Sequence, residues 1–327
     1  MDVLAPSFRP ILVPWIVDTR SLWPEATQTR QLSTVASRAL AALLTDEERA
    51  GVLKYFHVRD AKMALASQLL KHLIVARCGH AKGSNPVPWH KTVLSRDTHG
   101  KPVYYSDDSK TKQPVVFNVS HQAGLVVLVA AYGGNDPGGI DGIDVGIDVV
   151  SPTERRTRDL QMIAEADTAS PLSGWPHFVD VHADVLARSE VRYLENLPTH
   201  DNDERLRAFY ALWCLREAYV KMTGEALLAE WLGELEFKGF QVPKAPGPDK
   251  TKNSLHQGDM VTKHDIQFRG ASVGDKVNIC LRSVGVDYMV CTAVRSTPTE
   301  TALALPTTDA FEVLQMDDIL DFAERPT

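Results

Sequence analysis

Cysteine is scarce in this chain, with four in 327 residues. Cys78, Cys214, Cys280 and Cys291 lie far apart, without CxxC spacing or a neighbouring histidine pattern, which argues against a zinc site. Reduced thiols and a cytoplasmic location are the simplest expectation. No run of eighteen apolar residues occurs, so no membrane-spanning helix is expected. The opening PSFRPILVPWIV is partly apolar, but it carries Arg9 and internal prolines and lacks a cationic leader with a small-residue cleavage site. An excess of basic charge is also missing. The net charge of -7 argues against a non-specific nucleic-acid binder, while leaving room for a local basic pocket. Neither a GxGxxG nor a GxxxxGK[ST] stretch is present, which removes the usual glycine-rich phosphate cradles.

What remains is ordinary globular material, 44% apolar with a mean hydropathy of -0.17, long enough for about two domains. Thr45 and Glu48 have the spacing of a capping box at the start of a helix. RDAKMALASQLLKHLIVARCG, 59–79, repeats leucine at 65, 69 and 73 and predicts a helix ending near Gly79. VVFNVSHQAGLVVLVAAYG predicts two strands joined by the turn HQAG, the second strand central because it is almost wholly apolar. NDPGG, 135–139, reads as a turn between two halves, with the boundary expected within 133–143. VGIDVVS predicts a third strand. Helical regions are expected at 176–194 and 203–223, and a hairpin turning near Gly285 at 277–295. Residues 241–265, rich in Pro, Lys, Asp, Ser and Gly, read as a mobile loop, and the tail after 296 has little pattern. Strands and helices in both halves point to an α+β layered fold, divided as 1–138 and 139–327.

The stretch GIDGIDVGIDVV offers three aspartates. Asp141 and Asp144 sit beside Gly142 and Pro137, where turn-making accounts for them. In VGIDVV a period of two sends Val145, Ile147 and Val149 to one face and Gly146, Asp148 and Val150 to the other. Asp148 therefore shares its face with a glycine that leaves room for a ligand. A second carboxylate lies in FYALWCLREAYVKMTG. At about 100° per residue, Leu212, Leu215, Tyr219 and Met222 form a burying arc, opposite Trp213, Arg216, Glu217, Val220 and Lys221. Glu217 and Lys221 at i,i+4 would make only an exposed ion pair worth about 0.3 kcal/mol if they did nothing else. Paired with a strand aspartate, Glu217 would instead suit Mg²⁺, a hard cation that prefers oxygen ligands and bridges them to phosphates.

Three blocks occur in the order typical of Sfp-type 4'-phosphopantetheinyl transferases: GKP at 100–102 with FNVSH at 117–121, VGIDVV at 145–150, and WCLREAYVK at 213–221. The chain resembles that family, and its length and long loop resemble a fungal, broad-range member. The resemblance implies two similar α+β halves related by a pseudo-two-fold axis, and a monomer. It implies transfer of 4'-phosphopantetheine from coenzyme A to a serine of an apo acyl or peptidyl carrier protein, with release of 3',5'-ADP. Carriers in polyketide synthases, peptide synthetases and aminoadipate reductase are its expected partners; no nucleic acid or membrane is.

Residue by residue, the resemblance makes Asp148 and Glu217 Mg²⁺ ligands and Lys221 a pyrophosphate contact, these three forming the catalytic set. Ser120 and His121 match a pair that holds the phosphates of coenzyme A. Lys101, with Arg59, Lys62 and Arg96, resembles the basic set for the adenosine end and its 3'-phosphate. Trp213 looks like a helix-packing and pocket-wall residue. Two positions depart from the pattern. Val150 stands where relatives carry a second acid, leaving that ligand position to water. Arg216 stands where lysine is usual, able to bind phosphate but not to accept a proton. Glu190, in HADVLARSE, is a further candidate metal ligand. The carrier serine would lose its proton to Glu217, directly or through a water. Other readings are a nucleotide-using kinase, disfavoured by the missing glycine loop, and a non-catalytic coenzyme A or carrier-binding module, disfavoured by Asp148, Glu217 and Lys221 together.

Overall fold

A strand that is apolar at every position needs cover on both faces. Leu125–Tyr132 finds it in the computed structural model of the chain, which describes residues 10–80, 85–133, 140, 142–165, 172–225, 231–247, 255–297 and 305–325. Val126, Leu128 and Ala130 face the long helix Val58–Cys78 (α2), which follows a shorter helix, Asp46–Leu53 (α1). Leu125, Val127, Val129 and Ala131 face a second sheet. The strand, β3, pairs antiparallel with Ile11–Asp18 (β1) on one side and Val115–Gln122 (β2) on the other. The β2–β3 hairpin turns at Ala123 and Gly124, both at positive φ, as a two-residue turn between right-twisted strands requires. The expected hairpin, its central second strand and the capping box of Thr45 and Glu48 are all present.

The second sheet is built alike. Ile143–Val150 (β4) pairs with Tyr288–Ser296, the return strand of a hairpin with Val277–Val284. Val145, Ile147 and Val149 meet the first sheet, and Val150, Met289, Cys291 and Ala293 meet the helix Asn202–Thr223 (α4). A helix, two sheets and a second helix thus stack in an α+β arrangement. Strand, helix and hairpin recur in that order in both halves, with the first strand beside the hairpin's return strand each time. Fully burying each Val, Leu or Ile in these layers contributes about 1.5–3 kcal/mol. All four cysteines are free and buried, and no helix among the described residues is long and apolar enough to cross a membrane.

Several expectations change. The helical region 176–194 is two helices, Gly174–Val181 and Arg188–Glu195 (α3), separated by a 3-10 turn at Ala183–Val185. The stretch 241–265 is not a loop throughout. Gln257–Val261 pairs with Val277–Val284, its polar residues tolerated because it is a sheet edge, while 248–254 lie outside the described residues. The low-pattern tail crosses back to the first half. Glu312–Val313 pairs parallel with β1, and Met316–Ala323 buries Met316, Ile319 and Leu320 in the core around α2. The second half is therefore not the continuous 139–327. Of the dividing stretch 133–143, residues 134–139 and 141 lie outside the described residues, and with them NDPGG and Asp141. Asp144 is no turn-maker but a β4 residue ion-paired across the strands with Arg295 at 2.7 Å.

The room left by Gly146 belongs to the helix rather than to a ligand. A Cβ there would lie 2.1 Å from the Ala218 carbonyl oxygen and 2.4 Å from the Met222 amide nitrogen. The glycine lets α4 settle onto β4 beside Asp148, so Gly146→Ala must push helix and strand apart. The substitution is expected to destabilise the protein by on the order of 3 kcal/mol. Thermal unfolding checks this, and an unchanged Tm would contradict the contact.

Candidate active site

Strand β2 lies at the edge of the first sheet and β4 at the edge of the second, and the two face each other across the seam. Alternate side chains of β2 bridge them. Asn118 Oδ1 accepts from the Ile147 amide at 3.0 Å, the Ser120 hydroxyl donates to Asp148 Oδ1 at 2.9 Å, and Gln122 Oε1 accepts from the Ser151 amide at 3.2 Å. Edge amides that would otherwise be buried unpaired are satisfied this way, on both sides of Asp148. The period-two spacing of Asn118, Ser120 and Gln122 in an apolar strand was the sequence signal for this seam; only Ser120 was singled out from it.

Helix α4 brings the other components. Helical side chains lean toward the N-terminus, so Lys221 reaches back along α4 and donates to Asp148 Oδ1 at 2.6 Å and to Ser120 Oγ at 3.0 Å. Asp148 is buried, with a side chain 7% exposed, whereas that of Lys221 is 29% exposed. Burial works against the Lys221 ammonium, but Asp148 and then Glu217 overcome it and hold its pKa above the ordinary value. Glu217 is half-buried and accepts no hydrogen bond among the described residues. Burial first, and then the Asp148 carboxylate, raise its pKa to about 6 against the pull of Lys221. Two mutually repelling carboxylates, one of them unpartnered, with a single ammonium between them, are a donor set that a hard divalent cation fits.

The other expected residues divide. Lys101 reaches the seam, where its ammonium donates to the carbonyls of Val145 at 3.0 Å and Lys221 at 3.3 Å. It also lines a cleft of about 340 Å³ between the halves, with Phe117, Asp144 and Gly224. His121 is solvent-accessible on β2. Partial desolvation, then the Lys221 ammonium, lower its pKa, with Asp60 opposing and Lys71 reinforcing. Arg96 is exposed and donates to the Gly100 carbonyl at 2.6 Å. Arg59 is exposed beside Asp60, and Lys62 is buried with Glu25 as its neighbouring acid; no hydrogen bond or ion pair links either to Asp148. Trp213 packs on Phe209 and His182.

Glu190 and Arg216 do not join this cluster. They form a buried ion pair at 2.7 Å, and Arg216 also donates to the Leu232 and Leu235 carbonyls. Glu190 further accepts from the amides of Ala187 and Phe237. The pair thus ties α3 and α4 to the 232–238 segment. The Arg216 guanidinium is buried and turned onto Glu190 and these carbonyls, with no hydrogen bond to Asp148, Glu217 or Lys221 among the described residues. Among the described residues Glu190 is tied to Arg216 and two backbone amides, with no hydrogen bond or ion pair to Asp148 or Glu217. The amphipathic reading of α4 took its polar arc as exposed, but Arg216 and Val220 are buried. Val150 likewise lies in the core against α4.

Comparison with known proteins bears on what this arrangement does. A family model described as 4'-phosphopantetheinyl transferase, N-terminal, matches residues 32–133, and one for the 4'-phosphopantetheinyl transferase superfamily matches 144–277. The chain is 43% identical over 320 residues to 4'-phosphopantetheinyl transferase 1 of Fusarium mangiferae, covering 97% of this chain and 96% of that protein. The chain belongs to the 4'-phosphopantetheinyl transferase family. The transferase is also 31% identical over 322 residues to 4'-phosphopantetheinyl transferase NpgA of Emericella nidulans, covering 90% of this chain and 85% of that one. It is 26% identical over 215 residues to the L-aminoadipate-semialdehyde dehydrogenase-phosphopantetheinyl transferase of Schizosaccharomyces pombe, covering 65% and 68%. In the transferase, the two matched segments meet at the seam where Ser120 touches Asp148 and Lys221.

Because Arg216 and Glu190 are each other's only charged partners among the described residues, in a buried site, Glu190→Ala leaves an uncompensated guanidinium. It is expected to cost about 3–5 kcal/mol of stability. Denaturant unfolding measures this, while any activity that remains should keep its dependence on divalent metal. Unchanged stability with an altered metal requirement would return Glu190 to the metal.

Proposed function

We propose that this transferase moves 4'-phosphopantetheine from coenzyme A to a serine of an apo carrier protein, at the cluster of Asp148, Glu217, Lys221 and Ser120. The observation that carries the reading is the pair of carboxylates from a strand and a helix, with one ammonium bridging from Asp148 toward Glu217, on a seam both halves build. Asp148 and Glu217 would hold Mg²⁺, which supplies charge neutralisation on the diphosphate of coenzyme A.

The chain's own groups do the rest. Lys221 is poised to shift from Asp148 onto a phosphate oxygen and offset charge building on the leaving group. Ser120 keeps the Asp148 carboxylate oriented. The carrier serine loses its proton to Glu217, directly or through a water. The serine oxygen bonds to the β-phosphorus of coenzyme A, the bond from that phosphorus to the bridging oxygen breaks, and 3',5'-ADP leaves with the electron pair. The N-terminal cations, His121, Arg96 and Lys101 among them, would hold the nucleotide end. One chain supplies both sides of the seam, which supports action as a monomer, and four buried free thiols suit the cytoplasm. Carriers of polyketide synthases, peptide synthetases and aminoadipate reductase are the proposed acceptors.

Intact-mass measurement of an apo carrier incubated with coenzyme A and Mg²⁺, alongside release of 3',5'-ADP, tests the reading. Transfer is expected with the wild-type chain and lowered at least about 100-fold in Asp148→Ala and in Glu217→Gln. Near-normal rates for both variants at limiting Mg²⁺ would overturn it.

A further inference from the structure

The last carbonyls of a helix have no amide four residues ahead to bond them, and an edge strand leaves the backbone groups of every second residue without a partner strand. The joint between α4 and β4 has one of each. Lys221 is the third residue from the end of α4, and Gly224 follows the helix at positive φ. The Gly224 amide bonds the Val220 carbonyl and the Glu225 amide goes to the Thr223 hydroxyl, so the helix end supplies no amide to the Lys221 carbonyl among the described residues. On β4 the Ile147 amide faces the seam, where Asn118 accepts from it. The Val145 carbonyl, two residues earlier, faces the same way.

Both carbonyls end on one ammonium. Lys101, from the first half, donates to Val145 at 3.0 Å and to Lys221 at 3.3 Å. The turn that carries Lys101 is held firmly. Ser95–Arg96 pairs antiparallel with Pro102–Val103, Asp97 Oδ1 accepts from the amides of His99 at 2.9 Å and Lys101 at 2.8 Å, and Gly100 takes a positive φ. Pro102 fixes the backbone on the other side. The Lys101 ammonium makes no ion pair among the described residues, because Asp144, the acid that acts on it most strongly, is paired with Arg295 at 2.7 Å. Its charge is spent on two carbonyls, one of them in the last turn of a helix, where a cation is favoured.

The joint is also where α4 and β4 come closest, across Gly146. From the same residue whose carbonyl Lys101 holds, the Lys221 side chain leaves for Asp148 Oδ1 at 2.6 Å and Ser120 Oγ at 3.0 Å. Groups of the first half thus fix Lys221 at both ends, Lys101 at its backbone oxygen and Ser120 at its ammonium.

We propose that Lys101 is a positioning residue for the transfer: reaching across the seam, its ammonium locks the last turn of α4 to β4 and so sets the Lys221 ammonium on Asp148. The inference rests on the reading of Lys221 as the cation of the reaction. It adds to a contact with the nucleotide end, for which the Lys101 ammonium keeps one N–H.

The test compares wild type, Lys101→Met, which removes the donor and keeps most of the side-chain length, and Lys101→Arg, which keeps a cation. Transfer from coenzyme A to an apo carrier with Mg²⁺ gives kcat and KM. NMR of protein labelled with ¹⁵N in lysine follows the Lys221 ammonium, assigned by its loss in Lys221→Met. Lys101→Met is expected to lower kcat at saturating coenzyme A about tenfold or more, as misplacement of a reacting group does, and to shift the Lys221 signal and speed its proton exchange. Lys101→Arg should recover most of both. A raised KM with kcat and the Lys221 signal unchanged would leave Lys101 a donor contact alone and overturn the proposal. Should Lys101→Met not fold, the wild-type chain decides: slow proton exchange at the Lys101 ammonium supports the lock, and exchange as fast as at a surface lysine overturns it. If the wild-type chain transfers nothing, the donor reading fails, and the Lys221 signal in Lys101→Met still decides whether Lys101 positions it.

Discussion

The arrangement depends on one buried carboxylate. Asp148 stands on an edge strand of one sheet, and its charge is tolerated there because Lys221 and Ser120 both donate to the same oxygen. Lys221 comes from the helix covering its own sheet, and Ser120 from the edge strand of the other. A buried carboxylate without such donors would take up a proton or unfold its surroundings. The same contacts therefore hold the halves in register and keep an anionic oxygen ready for a cation.

Around that point the fold has little freedom. Gly146, two residues before Asp148, is the only residue type that lets α4 approach closely enough for Lys221 to reach back to it. Asn118 and Gln122 fix the β4 backbone on either side. The buried Glu190–Arg216 pair anchors the opposite flank of α4, so that Glu217, the next residue, is held half-buried toward Asp148 without a hydrogen-bond partner of its own. Two acidic residues, one on α3 and one on α4, thus have opposite fates. Glu190 is engaged by Arg216 and two backbone amides, while Glu217 accepts no hydrogen bond among the described residues and its pKa is raised by burial and by Asp148.

Much of this was legible from local pattern. The hairpins, the capping box of Thr45 and Glu48, the long leucine-spaced helix and the alternation that sets Asp148 apart from Val145, Ile147 and Val149 all follow from periods of two and 3.6. The family blocks pointed to Asp148, Glu217, Lys221 and Ser120, which the structure brings together or into electrostatic contact. What was misread depends on distant parts of the chain. Helical periodicity alone could not show that α3 and Leu235–Lys238 cover the polar arc of α4, so Arg216 looked available for phosphate. Residues 312–323 return to β1 and α2 through a two-residue strand and a short helix, a signal too brief to detect in a tail of weak pattern.

The central claim is that Asp148 and Glu217 grip one divalent cation against the diphosphate of coenzyme A. Mn²⁺ substituted for Mg²⁺ makes this directly visible by pulsed electron paramagnetic resonance. The account predicts one bound Mn²⁺ per chain that acquires phosphorus hyperfine coupling when coenzyme A is added, and loss of that bound ion in Asp148→Asn. Unchanged Mn²⁺ binding in the variant, or a bound ion without phosphorus coupling, would contradict it.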